Sequence, residues 1–184
     1  MNFRKHLELI DKHAFLGASN YHWLNYSDDK LVDTYYKKLA TQRGTELHSF
    51  AAQCIRLGQK LPSKRLTLNM YVNDAIGYRM TPEQPLYFSD NCFGTADSIA
   101  FNKKLLRIHD LKTGTTPASM NQLFIYDALF CLEYEINPND ISFENRIYQL
   151  DDVITYSPEQ EQILYIMEKI RSFDRIIETI RLEG

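Results

Sequence analysis

Apolar side chains recur at intervals of three and four from Asp28 to about Leu57, at Leu31, Tyr35, Leu39, Leu47, Phe50, Ala51 and Cys54. That spacing is one face of an α-helix, and Gly44 is the expected break that splits it in two. Leu68, Val72, Ala75 and Ile76 keep the helical spacing through residues 67–80, although β-branched and aromatic content leaves a strand open there. Phe93–Phe101 and Lys104–Leu111 have strand composition and are separated by the turn-like Asn102-Lys103, so together they read as a β-hairpin. Thr116 as N-cap and Pro117 at the first helical position open a helix to about Tyr134, which stops before Asn137-Pro138. Ser142–Leu150 reads as a further strand. Ser157-Pro158-Glu159 starts a last helix carrying Ile163, Ile166, Ile170, Phe173, Ile176, Ile177 and Ile180. All six prolines are read as punctuation between periodic segments. Helices, hairpin, helix, strand, helix is the order of an α/β domain of mixed (α+β) type, with a small central mixed sheet flanked by helices.

With 184 residues the expectation is a single domain over residues 1–184. Seven Gly and six Pro are about 7% of the chain, against ~12% in average proteins, which argues against a disordered or collagen-like chain. Twelve Tyr, ten Phe and one Trp supply large core side chains. A net charge of -3 excludes binding nucleic acid by bulk positive charge, so any such site must be local. The longest apolar candidate, Leu123–Tyr134, is broken by Asp127 and Glu133 and is too short for a membrane span. Charges throughout the first thirteen residues replace the apolar stretch of a secretory signal, which points to the cytoplasm. Cys54, Cys92 and Cys131 have neither disulfide-framework nor CxxC spacing, so no zinc or iron–sulfur cluster is expected.

The chemistry concentrates in the hairpin. Side chains alternate between faces, placing Asp97 with Ile99 and Phe101 on one strand, and Leu106, Ile108, Asp110 and Lys112 together on the next. A turn at Asn102-Lys103 sets Asp97 opposite Ile108; a turn at Lys103-Lys104 sets it opposite Asp110. Either register puts both carboxylates on one face, where an apolar row ends in two acids and a lysine that need a partner. A divalent cation meets that need, because Mg²⁺ takes carboxylate and carbonyl oxygens, here Asp97, Asp110 and the main-chain oxygen of Leu111. Lys112 then points at the same place, suited to stabilise a phosphate or orient an attacking water. An Asp-x-Lys on a strand is also commonly a solvated ion pair.

The ordered set of motifs, Gly44-Thr45-Glu46-Leu47-His48, Gly94-Thr95-Ala96-Asp97, Asp110-Leu111-Lys112 and Gln122-Leu123-Phe124-Ile125-Tyr126, resembles the RecB-type exonuclease branch of the PD-(D/E)xK nuclease superfamily. The likeness spans residues 44–126, in the family's order: GxxxH, an acid on one strand, DxK on the next, and QxxxY on the following helix. It implies a restriction-endonuclease-like core, with His48, Asp97, Asp110 and the Leu111 carbonyl as ligands of one or two Mg²⁺ or Mn²⁺ ions. Asp97, Asp110 and Lys112 are then the catalytic residues, and Gln122 and Tyr126 hold the DNA strand. Spacing agrees with this: Gly44 and His48 are i and i+4 on one helical face, leaving room beside the imidazole for metal or phosphate, and Gln122 and Tyr126 share a face likewise. His48 also reads as a core histidine, and Gln122 with Tyr126 as a helix-packing pair. The Pro-Asp that names the superfamily is absent, and three scattered cysteines do not match the members that carry an iron–sulfur cluster.

The resemblance therefore implies a stand-alone, phage- or mobile-element-like deoxyribonuclease, foremost an exonuclease in DNA recombination, repair or processing. DNA is the expected partner, with a recombination or single-strand-binding protein as a further one. A structure-specific endonuclease or nickase, and a non-catalytic nucleic-acid-binding subunit of the same fold, remain as alternatives. Tyr21, His22, Trp23 and Tyr26 offer rings that either stack on unpaired bases or pack the first long helix onto the domain.

Overall fold

The computed structural model describes residues 5–7, 10 and 12–183, and divides the chain into two compact units, Met1–Arg43 and Gly44–Gly184. In the first, Trp23 Nε1 donates to the Gly17 carbonyl at 3.1 Å, and Phe15 meets Tyr35 edge-on with ring centres 5.1 Å apart. Lys38 lies over the same Phe15 ring. None of its described residues is buried, so ring contacts and not a core hold this segment.

Helix α1 runs from Asp28 to Leu57 without interruption, so Gly44 does not break it. A lone glycine costs a helix only about 1 kcal/mol relative to alanine, and its place here has another cause, given below. Helix α2 covers Thr67–Gly77, which decides the open choice at residues 67–80 for helix. Strand β1, Thr81–Ser89, includes both Pro82 and Pro85. Reading those prolines as punctuation hid it. Its place at the sheet edge explains their tolerance, since an edge strand has N–H groups with no ladder partner to lose.

Strands β2 (Cys92–Asn102) and β3 (Leu105–Leu111) form the expected hairpin. Its turn is Lys103-Lys104, both at positive φ (48° and 64°), the geometry of the tight turn that matches strand twist. Of the two registers, this is the one that sets Asp97 opposite Asp110. The ladder runs from Asn102↔Leu105 to Ser98↔His109. After β3 the chain does not become helical at Thr116-Pro117; α3 spans Asn121–Glu133. Gln149 explains the late start. Its side chain accepts from the Ala118 amide and donates to the Gly114 and Thr116 carbonyls, giving residues 114–118 partners that a helix would have supplied.

Strand β4, Ser142–Gln149, lies parallel to β3, and β5, Asp152–Tyr156, returns antiparallel after a second tight turn, Leu150-Asp151, again with both φ positive (51° and 57°). Helix α4, Gln160–Glu183, follows. The sheet order is β1-β2-β3-β4-β5, which makes this the mixed α/β architecture expected, with a mixed sheet between helices. One face carries the core with α3 and the start of α4, including Leu106, Ile108, Leu123, Leu129, Ile147 and Ile163. The other packs Ala51, Cys54 and Ile55 of α1 with Tyr71, Val72 and Ala75 of α2 onto Leu111 and Tyr148. That second face also buries His109, whose imidazole is pushed down to about 3 by burial and then by the charges of Arg146 and Arg107, and which meets Tyr148 Oη at 3.2 Å. Among the described residues no helix is long and apolar enough to cross a membrane.

Candidate metal centre

The alternation of β1 and β2 slips by one residue at a single level of the sheet. Ala96 lies in the cluster under α3, yet so does Ile99 three residues on, while Ser98 between them turns its hydroxyl towards Met80 of the opposite cluster at 3.8 Å. On β1 the facing residue is Glu83, between the pairs Pro82↔Ser98 and Gln84↔Ala96, and its φ is 52°. A non-glycine residue in the left-handed region costs of order 1–3 kcal/mol. The face change therefore falls at Glu83 and Asp97 together, which frees both carboxylates from the regular pleat.

Asp97 uses its two oxygens differently. Oδ2 accepts from the Leu111 amide at 2.8 Å, and Oδ1 lies 3.3 Å from His48 Nδ1. Leu111 thus enters the site through its N–H, while its side chain lies in the α1–α2 cluster. His48 arrives one turn after Gly44, where an added Cβ would stand 2.9 Å from Thr113 Oγ1. The space that the glycine was expected to leave for metal or phosphate is taken by that hydroxyl, and the bare backbone lets α1 close on the segment after β3. The hydrogen bond to Asp97 holds the imidazole pKa above its ordinary value, against the opposing effect of burial.

Ligand atoms of His48, Glu83 and Asp97 all lie within 4.8 Å of one another. Carboxylate oxygens at that separation are hard donors of the kind that Mg²⁺ or Mn²⁺ accepts, and the imidazole nitrogen beside them is a borderline donor that suits Mn²⁺ better than Mg²⁺. Burial, and then the charge of Asp97, pushes the Glu83 carboxyl up, which is the repulsion that a cation would relieve.

Asp110 stands outside this trio. It is 2% exposed, and Lys112 Nζ lies 3.0 and 2.9 Å from its two oxygens. Lys112 also donates to Gln122 Oε1 at 2.9 Å, and Gln122 Nε2 donates to Tyr126 Oη at 3.0 Å. The four residues form one chain of hydrogen bonds from β3 to α3. Burial and then Asp97 raise the Asp110 pKa, while Lys112 and His48 lower it, so trio and chain share one electrostatic field. Gly94 fits against the phenol: a Cβ there would lie 2.9 Å from Tyr126 Cε1. Every residue given a metal, catalytic or strand-holding role by the four motifs thus lies in the trio, in the chain or, as Leu111, between them, whereas Tyr21, His22, Trp23 and Tyr26 belong to the first unit.

Glu83 is the residue that sequence reasoning missed. Its signal was available only through β1, because a strand pairing with β2 in this register puts position 83 opposite Asp97. Comparison with family models, curated proteins and solved structures finds no match to this chain.

Proposed function

We propose that this chain is a metal-dependent nuclease that hydrolyses phosphodiester bonds of DNA, foremost as an exonuclease of the RecB-type branch of the PD-(D/E)xK superfamily. The observation that carries the reading is the trio His48, Glu83 and Asp97, with ligand atoms within 4.8 Å, next to the chain Asp110–Lys112–Gln122–Tyr126. The trio and Asp110, with the Leu111 carbonyl, would hold Mg²⁺ or Mn²⁺. A bound ion of this kind lowers the pKa of water and polarises a phosphoryl oxygen. Asp97, fixed by the Leu111 amide and by His48, keeps its carboxylate oriented towards that space. Lys112 offers an ammonium to the negative charge that grows on phosphate, and its two contacts, to Asp110 and Gln122, hold it in place without reorganisation. Gln122 and Tyr126 present an amide and a phenol to a strand backbone.

The test is degradation of linear and covalently closed circular DNA with Mg²⁺, with Mn²⁺ and with excess chelator. Linear DNA consumed only with metal, and circular DNA spared, is the expected result. Attack on the circle assigns the endonuclease alternative. Activity that survives the chelator, or none on any DNA with either ion, refutes the proposal.

A further inference from the structure

Among the described residues, the outer part of α4 is tied down by polar bonds from Ser89 and Asn91 to Asp174 and from Asn91 to Glu178, and its apolar face is left uncovered. Ile163, Ile166, Ile170, Phe173, Ile177 and Ile180 alternate intervals of three and four, the 3.5-residue period of a seam that packs against another helix. The first half of this seam is used within the molecule: Ile163 is buried, and Ile166 and Ile170 pack on the core beneath α3. The second half is not. Phe173 is 55% exposed and Ile180 63%, and no described residue from Phe173 to Glu183 is buried. Ile176, Ile177, Thr179 and Ile180 are β-branched and only moderate helix formers, so these turns need tertiary cover to persist as helix. Beside them a groove of about 560 Å³ opens between α4 and the first turns of α3, with Ile125 and Tyr165 on its walls and Cys92 at its edge.

We propose that this stripe and groove bind a second copy of this chain, α4 against α4 about a two-fold axis. Three observations favour a copy of itself over another occupant. The seam repeats the spacing that it would have to meet. Its charges are nearly balanced, with Asp174, Glu178 and Glu183 against Arg175 and Arg181, so a strongly acidic or basic partner finds nothing to match. Asp174 and Arg181 are also seven residues apart, at one flanking position of the repeat, so an antiparallel crossing near Ile177 sets each Asp174 against the Arg181 of the other copy. Both side chains are already ordered within the chain, Asp174 by Ser89 and Asn91, which donate to it, and Arg181 by its ion pair with Glu178 at 2.9 Å. The inference is independent of the nuclease reading, although α3, which walls the groove, also carries Gln122 and Tyr126.

Analytical ultracentrifugation of the full chain over a wide concentration range tests it, beside the rate at which a thiol reagent labels Cys92. Cys54 and Cys131 are buried, whereas Cys92 is partly exposed. Twice the chain mass of 21.6 kDa is expected, with Cys92 labelling slowing as the dimer forms. Phe173→Lys and Ile177→Lys replace exposed side chains, so both should keep the near-UV circular dichroism of the folded core, sediment as monomers and label quickly, losing only the far-UV helical signal of the last turns of α4 and the stability that the dimer adds. A wild-type chain that stays at 21.6 kDa overturns the proposal, as does a dimer that persists in both variants or a higher oligomer in place of the pair.

Discussion

Asp127→Asn should flatten the pH dependence of stability. Asp127, in the middle of α3, is fully buried, and its one hydrogen bond is accepted by Oδ2 from Asn145 Nδ2 at 2.6 Å. Asp127 Oδ1 and Asn145 Oδ1 are both buried without a hydrogen-bond partner. A proton on Asp127 Oδ1, donated to Asn145 Oδ1, satisfies both and closes an acid–amide ring. Burial pushes the carboxyl up to about 8, with the Asn145 bond pulling the other way. The titratable neighbour on its own helix is Cys131, whose thiol is pushed up to about 12 by burial and then by the Asp127 charge, so it stays neutral and does not compensate. The folded pKa therefore lies above the unfolded value of ~3.9. Stability from this group is fully present below pH ~4 and is lost as pH rises towards 8. The slope is about 1.4 kcal/mol per pH unit, so about 4 kcal/mol disappears between pH 5 and pH 8, a large part of a typical folding free energy. An asparagine at 127 can turn its N–H₂ to Asn145 Oδ1, keep both bonds and lose the linkage. Urea unfolding followed by circular dichroism at pH 5, 6, 7 and 8 should show the wild type weakening by this slope relative to the variant, with the variant more stable at pH 8 and the urea slopes equal. Parallel stability curves for the two proteins would refute the reasoning.

Gly94→Ala should push a methyl group into the Tyr126 ring, at a cost of about 1–3 kcal/mol for overpacking, and slow the proposed DNA cleavage by displacing the phenol from Gln122; an unchanged melting temperature with an unchanged rate refutes the contact. Gln149→Ala removes all three bonds that tie down residues 114–118 and should cost about 2–3 kcal/mol, with limited proteolysis moving to that segment; cleavage elsewhere at the wild-type rate counts against it. Lys112→Met leaves the buried Asp110 without its cation and should destabilise the fold by about 2–4 kcal/mol at neutral pH, while Asp110→Asn/Lys112→Met recovers most of the loss; additive losses in the double variant would show that the pair is not coupled. His48→Ala should weaken Mn²⁺ binding measured by calorimetry, and Glu83→Gln should do so too; wild-type affinity in both removes the trio as a metal centre.

Periodicity revealed the long elements because each buries one continuous face. Ile163 to Ile180 placed α4 for that reason, while Leu68, Val72, Ala75 and Ile76 showed the helical spacing of α2 but left a strand open, because their β-branched and aromatic neighbours suit either. The failures share a different cause, which is that a distant side chain replaced the local signal. Thr116-Pro117 has the chemistry of a helix start, but Gln149, more than thirty residues away, satisfies that backbone first. Pro82 and Pro85 read as breaks because nothing local says that β1 is an edge strand, where proline costs little. Gly44 reads as a break as well, and its reason is the hydroxyl of Thr113 across the fold. The clustering of candidate site residues was legible where the motif spacing held them on one helix or hairpin, as for His48, Asp97, Asp110, Lys112, Gln122 and Tyr126. Glu83 was not, because its only link to the others is the pairing of β1 with β2.

The slip of alternation at Glu83 and Asp97 explains why these acids cluster at all. In a regular hairpin, Asp97 would project under α3 with Ile99, into the layer that Phe124 and Leu123 fill, and two neighbouring carboxylates there would be pushed to their neutral forms. Because Glu83 takes a left-handed φ and the strands change face at this level, Asp97 instead reaches the Leu111 amide on one side and His48 on the other. The positive φ has a cost, and so does the mutual repulsion of Glu83, Asp97 and Asp110, and the fold tolerates both beside a strand that is otherwise well paired. Acids that are not already neutralised by a cation are what a divalent ion would bind best, since ligands must be deprotonated to hold it. Lys112 pairs directly with Asp110, whereas Glu83 is met by the charges of His48 and Arg56 without an ion pair among the described residues, so the trio is where a divalent ion would have most to contribute.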